Sequence, residues 1–173
     1  MGLLKKNIPV AATVLVVAMV LSLWLGTLRS VSSLESKAEK AYAAKDSYGE
    51  TVGGTVDVLK LHISAFVSEY EAVLGACEES EYLRQCADVL DGDSCIADGV
   101  DSDELMGKAL LMHQRFDASG SYTAEAKAAY AGIDNDISIL KKYGDYNAAA
   151  KQYNDVSDSF IGKIFGLEKA IEF

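Results

Sequence analysis

Apolar positions recur along most of this chain at steps of three and four, the rhythm of a helix with one buried face. The beginning is different. From Asn7 to Leu28 the sequence NIPVAATVLVVAMVLSLWLGTL runs 22 residues without a charge. As a helix it extends roughly 33 Å, enough to cross a bilayer. Trp24 stands near its far end, where interfacial aromatics collect. A secretory signal would carry a shorter apolar core followed by a small-x-small cleavage site. Ser30-Val31-Ser32 offers only a weak one. The expectation is a retained transmembrane helix over 7–28 behind a short stub at 1–6, with the remaining residues, 29–173, forming a separate domain. With no Cys near its end, the anchor is not of the bacterial lipoprotein type.

Beyond Leu28, the positions Leu34, Ala38, Ala41, Lys45, Tyr48 and Val52 keep helical spacing, so the helix is expected to continue out of the membrane until Gly53-Gly54 interrupts it. A second helix follows, with Val52, Val56, Leu59, Ile63, Phe66, Tyr70, Val73 and Leu74 on one face, expected to run to about Leu90. Asp and Gly then crowd the segment DVLDGDSCIADGVDSDEL, which favours turns and caps. Asp101-Ser102-Asp103-Glu104 opens a third helix, whose face is Leu105, Ala109, Met112 and Phe116. The last element is expected from about Thr123 to Phe165, with a kink or break at Gly144. Its faces are Tyr130, Ile133, Ile137 and Leu140, then Tyr146, Ala149, Tyr153, Val156 and Phe160. No strand alternation appears, and Pro9 is the only proline. The predicted fold is therefore all-α, an N-terminal transmembrane helix followed by an antiparallel up-and-down bundle of three to four long helices.

Charge narrows the partners. All 26 Asp and Glu lie beyond Leu28, against 14 of the 16 Lys and Arg, so residues 29–173 carry about −12. Such a surface repels nucleic acid and anionic headgroups, and no nucleic-acid partner is expected. Lys5 and Lys6 precede the apolar run closely, while Arg29, Lys37, Lys40 and Lys45 follow it over a longer distance, which leaves the domain on either side of the cell membrane. Cys77, Cys86 and Cys95 fall at intervals of nine. Cys86 and Cys95 flank a turn-prone segment and could close a disulfide loop in an oxidising compartment; three buried thiols would look the same.

Candidate chemistry is sparse. His62 and His113 sit on different predicted helices and supply two ligands where Zn²⁺ takes three or four. The carboxylates from Asp88 to Glu104 fit no register of a calcium-binding EF-hand loop. No phosphate-cradling glycine loop, nucleophile elbow or HExxH motif occurs. Neither catalysis, a cofactor nor a metal is expected. Nine tyrosines, by contrast, suit contact surfaces that are apolar with a polar tip.

Near the C-terminus, Tyr146-Asn147, Tyr153-Asn154, Phe160 and Phe165-Gly166-Leu167, with Phe173 closing the chain, resemble the closing signature of the LemA family. Leu34-Glu35 and Ala41-Tyr42 resemble its helix after the membrane span. The chain departs from the family at Ile161, where the pattern has proline, and across ETVGGTVDVLK, where an Arg-Arg and a Pro-Asn should stand. The resemblance implies a membrane-anchored antiparallel helical bundle and little about biochemistry.

The seven-residue interval between the two Tyr-Asn pairs equals two helical turns, which aligns Tyr146, Tyr153 and Phe160 as a packing stripe. Asn147 and Asn154 form a second row that could bond across to a neighbouring helix and fix its register. The expected function is that of a membrane-anchored bundle working through protein contacts, as scaffold, adaptor or oligomeric assembly unit. Its expected partners are the bilayer and either its own copies or other membrane proteins. The alternative is an extracytoplasmic sensor that binds a small ligand or cation and relays a helix shift into the membrane.

Overall fold

A computed structural model describes residues 2–97 and 99–173, with side chains from Val14 onward; Met1 and Asp98, the latter in the acidic segment, lie outside the described residues. Among the described residues there are seven helices and no strand: α1 (Gly2–Tyr42), α2 (Val52–Leu74), α3 (Glu78–Val89), α4 (Ser102–Ala118), α5 (Ala124–Leu140), α6 (Gly144–Ser157) and α7 (Phe160–Phe165). The fold is all-α, as expected. Helix α1 takes in the expected stub from Gly2 onward, and it is long and apolar enough to cross a membrane by length and composition. Its side chains from Val14 to Leu25 are exposed.

The single helix expected from Val52 to Leu90 is two helices. Gly75 leaves α2 with φ +80°, a conformation that costs a residue with a Cβ, and its N–H closes on Glu71 O at 3.0 Å. Ser80 then accepts from the Cys77 N–H at 3.0 Å and donates to Glu71 at 2.7 Å, so α3 starts folded back on the helix it has just left. Arg84 also bonds Glu71. Further along, the Lys60 ammonium reaches Leu90 O at 3.2 Å, which fixes the antiparallel register. Periodicity misses this break because a heptad-like stripe runs on through a three-residue turn.

Helices α2 to α5 form a four-helix up-and-down bundle, with α3 against α4 and α5 returning along α2. Thr51, Asp101 and Thr123 cap α2, α4 and α5, each accepting from the first-turn N–H groups. The predicted faces fill the core: Val56, Leu59, Ile63, Phe66 and Tyr70 meet Leu105, Ala109, Met112 and Phe116, with Ile133, Ile137 and Leu140 on the far side. Val73 and Leu74, placed on that face by spacing, are exposed at the end of α2.

The second subassembly is a pair. The part of α1 nearest the bundle packs antiparallel on α6, with Val31, Ala38 and Tyr42 buried. The helix ends at Tyr42, before Lys45 and Tyr48 can continue the stripe, and Tyr48 is 89% exposed. The expected interruption at Gly53-Gly54 is instead the first turn of α2. Gly53 is needed there for a different reason: a Cβ would overlap the Gly92 carbonyl and approach the Tyr42 ring to 2.9 Å, so this is where the first turn of α2, the end of α1 and the loop after α3 touch. The long final element is also divided, into α5, α6 and α7. The break at Gly144 agrees with the shift in register, and a second one follows Ser157.

Candidate functional site

The two Tyr-Asn pairs lie on α6, and they hold the C-terminal tail rather than a neighbouring helix. Asn154 Nδ2 donates to the Ala170 carbonyl at 2.7 Å and to Glu172 Oε1 at 2.9 Å, while its Oδ1 accepts from the Ala170 N–H at 2.8 Å. One amide thus satisfies both backbone groups of a buried residue. Asn147 repeats the device more loosely, accepting from the Phe173 N–H at 3.1 Å and donating to Leu140 O at 3.0 Å. Tyr146 Oη donates to Ile171 O at 2.7 Å.

The interval of seven follows from this pairing. Seven residues of α-helix rise about 10.5 Å, and three residues of extended chain span about 10 Å. Asn154 therefore meets Ala170 and Asn147 meets Phe173 without strain, in antiparallel register. The opposite edge of the tail is held by the loop after α3: the Ala97 N–H donates to Lys169 O and the Ile171 N–H to Cys95 O, both at 3.0 Å. The tail is in effect a one-residue bridge between α6 and that loop.

Aromatic rings close the junction. Tyr42, at the end of α1, packs on Tyr146 with centroids 5.3 Å apart, and Tyr146 on Phe173 at 6.4 Å. Tyr42 Oη donates to Asp91 O at 2.7 Å, tying α1 to the same loop. Burial holds the Tyr42, Tyr146 and Cys95 acids above their ordinary values, the Cys95 thiol up to about 11; a charge on Cys95 would further oppose ionisation of both tyrosines, and Glu39 and Glu35 oppose that of Cys95.

Of the predicted stripe, Tyr146 and Tyr153 are buried, Asn154 is buried and Asn147 half-buried. Phe160 departs from it. Helix α6 stops at Ser157 and Ser159 caps α7, so the register is lost and Phe160 stands 80% exposed. Of the two readings of the cysteines, a Cys86–Cys95 bridge or unpaired thiols, the structure has the second: Cys86 is buried on α3, Cys95 is buried beneath the tail, and Cys77 is half-buried, all three as free thiols. The partners Ala170 and Ile171 had no sequence signal, because a segment this short has no periodicity to read.

The histidines have separate partners. His62 Nδ1 meets Asp136 at 2.7 Å across α2 and α5, and His113 bonds Tyr122 at 2.7 Å while stacking on Tyr130. Among the described residues no group of three or more His, Cys, Asp or Glu side chains could hold a metal. The acidic segment spends several of its carboxylates on backbone N–H groups, Asp91 on Asp93 and Asp101 on the α4 cap.

Two open clefts flank this framework. One, about 690 Å³, lies beside the clamp and is lined by Asp101, Lys141, Asn154, Lys169 and Glu172. The other, about 580 Å³, lies where the α1–α2 connection crosses α5; its surface is mostly apolar, from Tyr48, Val58, Ile139 and Tyr143, and Asp46, Glu50, Asp136 and Lys142 also line it. Val58 and Leu61, three residues apart on one face of α2, are both exposed. Compared with known families, curated proteins and solved structures, the chain matches no family model, no curated protein and no solved structure.

Proposed function

We propose that the chain is a divergent LemA-like, single-pass membrane protein that works through protein contacts, as a scaffold, adaptor or assembly unit, without catalysis. The observation that carries this reading is the apolar groove around Tyr48. An exposed tyrosine beside Val58, Ile139 and Tyr143, with Leu61 adjacent on α2, has the composition of a contact surface. The apolar span in α1 supports confinement to a membrane, which raises the effective concentration of copies and partners in two dimensions.

The test is photo-cross-linking in native membranes from a benzophenone side chain substituted at Tyr48. A discrete adduct, to a second copy or to another membrane protein, is the expected result. A strictly monomeric pattern at Tyr48 and at Leu61 refutes the reading. The sensor alternative is supported by one observation: α1 runs unbroken from the span to Tyr42, whose hydroxyl donates to Asp91 O in the loop that leads to the cleft beside the clamp. Calcium-dependent change in hydrogen exchange at residues 91–97 would favour it over the scaffold.

A further inference from the structure

Helix α7, FIGKIF, carries an apolar face that the bundle leaves uncovered. Phe160 is 80% exposed, Ile164 63% and Ile161 41%. Its position says what covers them. The Phe165 ring stacks on the Trp24 indole, with centroids 6.0 Å apart and planes at 27°. Trp24 lies four residues inside the end of the uncharged run, so α7 sits about 6 Å within that end, measured along α1. Ser159 and Ile161 share a groove with Ser22, Leu23, Gly26 and Thr27 of α1.

We propose that α7 is a second membrane contact, lying in the interface between headgroups and acyl chains beside the emerging end of α1. The proposal rests on the reading of α1 as a membrane span. If the bilayer covers Leu23, Trp24 and Leu25, it covers Phe160 and Ile164 at the same depth. A second copy of the chain would have to displace lipid there to do so.

The helix is built for that position. An interfacial segment must satisfy its own backbone. Ser159 Oγ accepts from the Gly162 N–H at 3.2 Å, and the Leu167 N–H returns to Gly162 O at 3.1 Å. Lys163 is the one cation within α7, and its stem lets the ammonium rise to the phosphate level. Asp155 lines the same groove from α6, and Asp158, which caps α6, pairs with Lys169 at 2.7 Å. From α7 the chain returns to the clamp at Asn154. The loop from α6 to the tail therefore dips into the interface and sets the height of the bundle above the bilayer.

Trp24 is the only tryptophan, which makes the test direct. The full chain is reconstituted in phosphatidylcholine vesicles brominated near the head of the acyl chains. Three proteins are compared: wild type, Trp24→Phe with Phe160→Trp, and Trp24→Phe with Tyr48→Trp as the aqueous control; Ile164→Trp in the same background replaces the second if its helicity differs from wild type. The indole at position 160 is expected to lose most of its emission to bromolipid and little to aqueous iodide, as Trp24 does, with the reverse at position 48. Quenching of position 160 by iodide alone, while Trp24 responds to bromolipid, overturns the α7 contact and leaves the anchor standing. Failure of bromolipid to quench Trp24 overturns the anchor and the proposal together. Protection of position 160 from both quenchers, in a chain that cross-links to itself, overturns it in favour of a second copy.

Discussion

Replacing Asn154 with alanine removes three hydrogen bonds, and the cost depends on what they leave behind. The Glu172 carboxylate can turn to water. The Ala170 N–H and C=O cannot, because Ala170 is 3% exposed and pressed between α6 and the loop after α3. Each buried backbone group left without a partner costs about 1–3 kcal/mol, so Asn154→Ala should destabilise the fold by about 2–6 kcal/mol. For a domain of this size that lowers Tm by roughly 10 °C. Asn147 is half-buried; the Leu140 carbonyl keeps a second donor in the Tyr143 N–H at 3.1 Å, and Phe173 is itself half-buried, so Asn147→Ala should cost only about 1 kcal/mol. Thermal unfolding of the full chain in detergent, followed by circular dichroism, gives both numbers. Hydrogen exchange should show the tail over 169–173 opening in Asn154→Ala well before the bundle does. Asn154→Asp separates the two halves of the device. It keeps an acceptor for the Ala170 N–H but turns a carboxylate on the Ala170 carbonyl and on Glu172, so it should be worse than alanine at neutral pH and recover when acid protonates it. An unchanged Tm in Asn154→Ala, or a loss in Asn147→Ala as large as at position 154, refutes the clamp.

Gly53→Ala should destabilise by about 1–3 kcal/mol, since the new methyl meets the Gly92 carbonyl, which is backbone and cannot turn away. Gly107→Ala, in open space on α4, should instead stabilise by about 0.5–1 kcal/mol; equal effects in denaturant titrations would refute the close approach. Thiol titration should find three free cysteines in denaturant, and only the partly exposed Cys77 reacting quickly in the native chain, whereas a single thiol in denaturant would restore the bridge. Because burial raises the Cys95 thiol from 9.0 to about 11, the folded state holds its proton where the unfolded state has lost it. That contribution to stability is complete below pH 9 and falls as the pH rises towards 11. Cys95→Ala should flatten the decline between those values, and an unaltered alkaline limb would remove Cys95 from it.

Much of this molecule is decided locally. The uncharged run to Leu28, the faces Val56 to Tyr70 and Leu105 to Phe116, and the acidic cap at Asp101 follow from residue type and a period of 3.6, because each helix must bury one stripe and satisfy its first turn whatever it packs against. The breaks are decided partly there: the shift of register marks Gly144, but nothing in the periodicity marks Gly75, whose left-handed turn matters only because α3 folds back onto Glu71. The Tyr-Asn repeat shows the boundary most clearly. Its spacing is legible as two helical turns, and that places Tyr146 and Tyr153 in the core. What the asparagines bind is not legible, since the match of seven helical residues to three extended ones exists only once the tail returns along α6. Phe160 fails for the same reason from the other side. Its seven-residue offset holds only while the helix lasts, and Ser159 ends that register by capping a new helix that faces away from the core. Sequence by itself determined which residues leave water; the tertiary structure decided which distant backbone groups they satisfy, because hydrogen bonds between an amide and a tail sixteen or more residues away depend on the path of the chain between them.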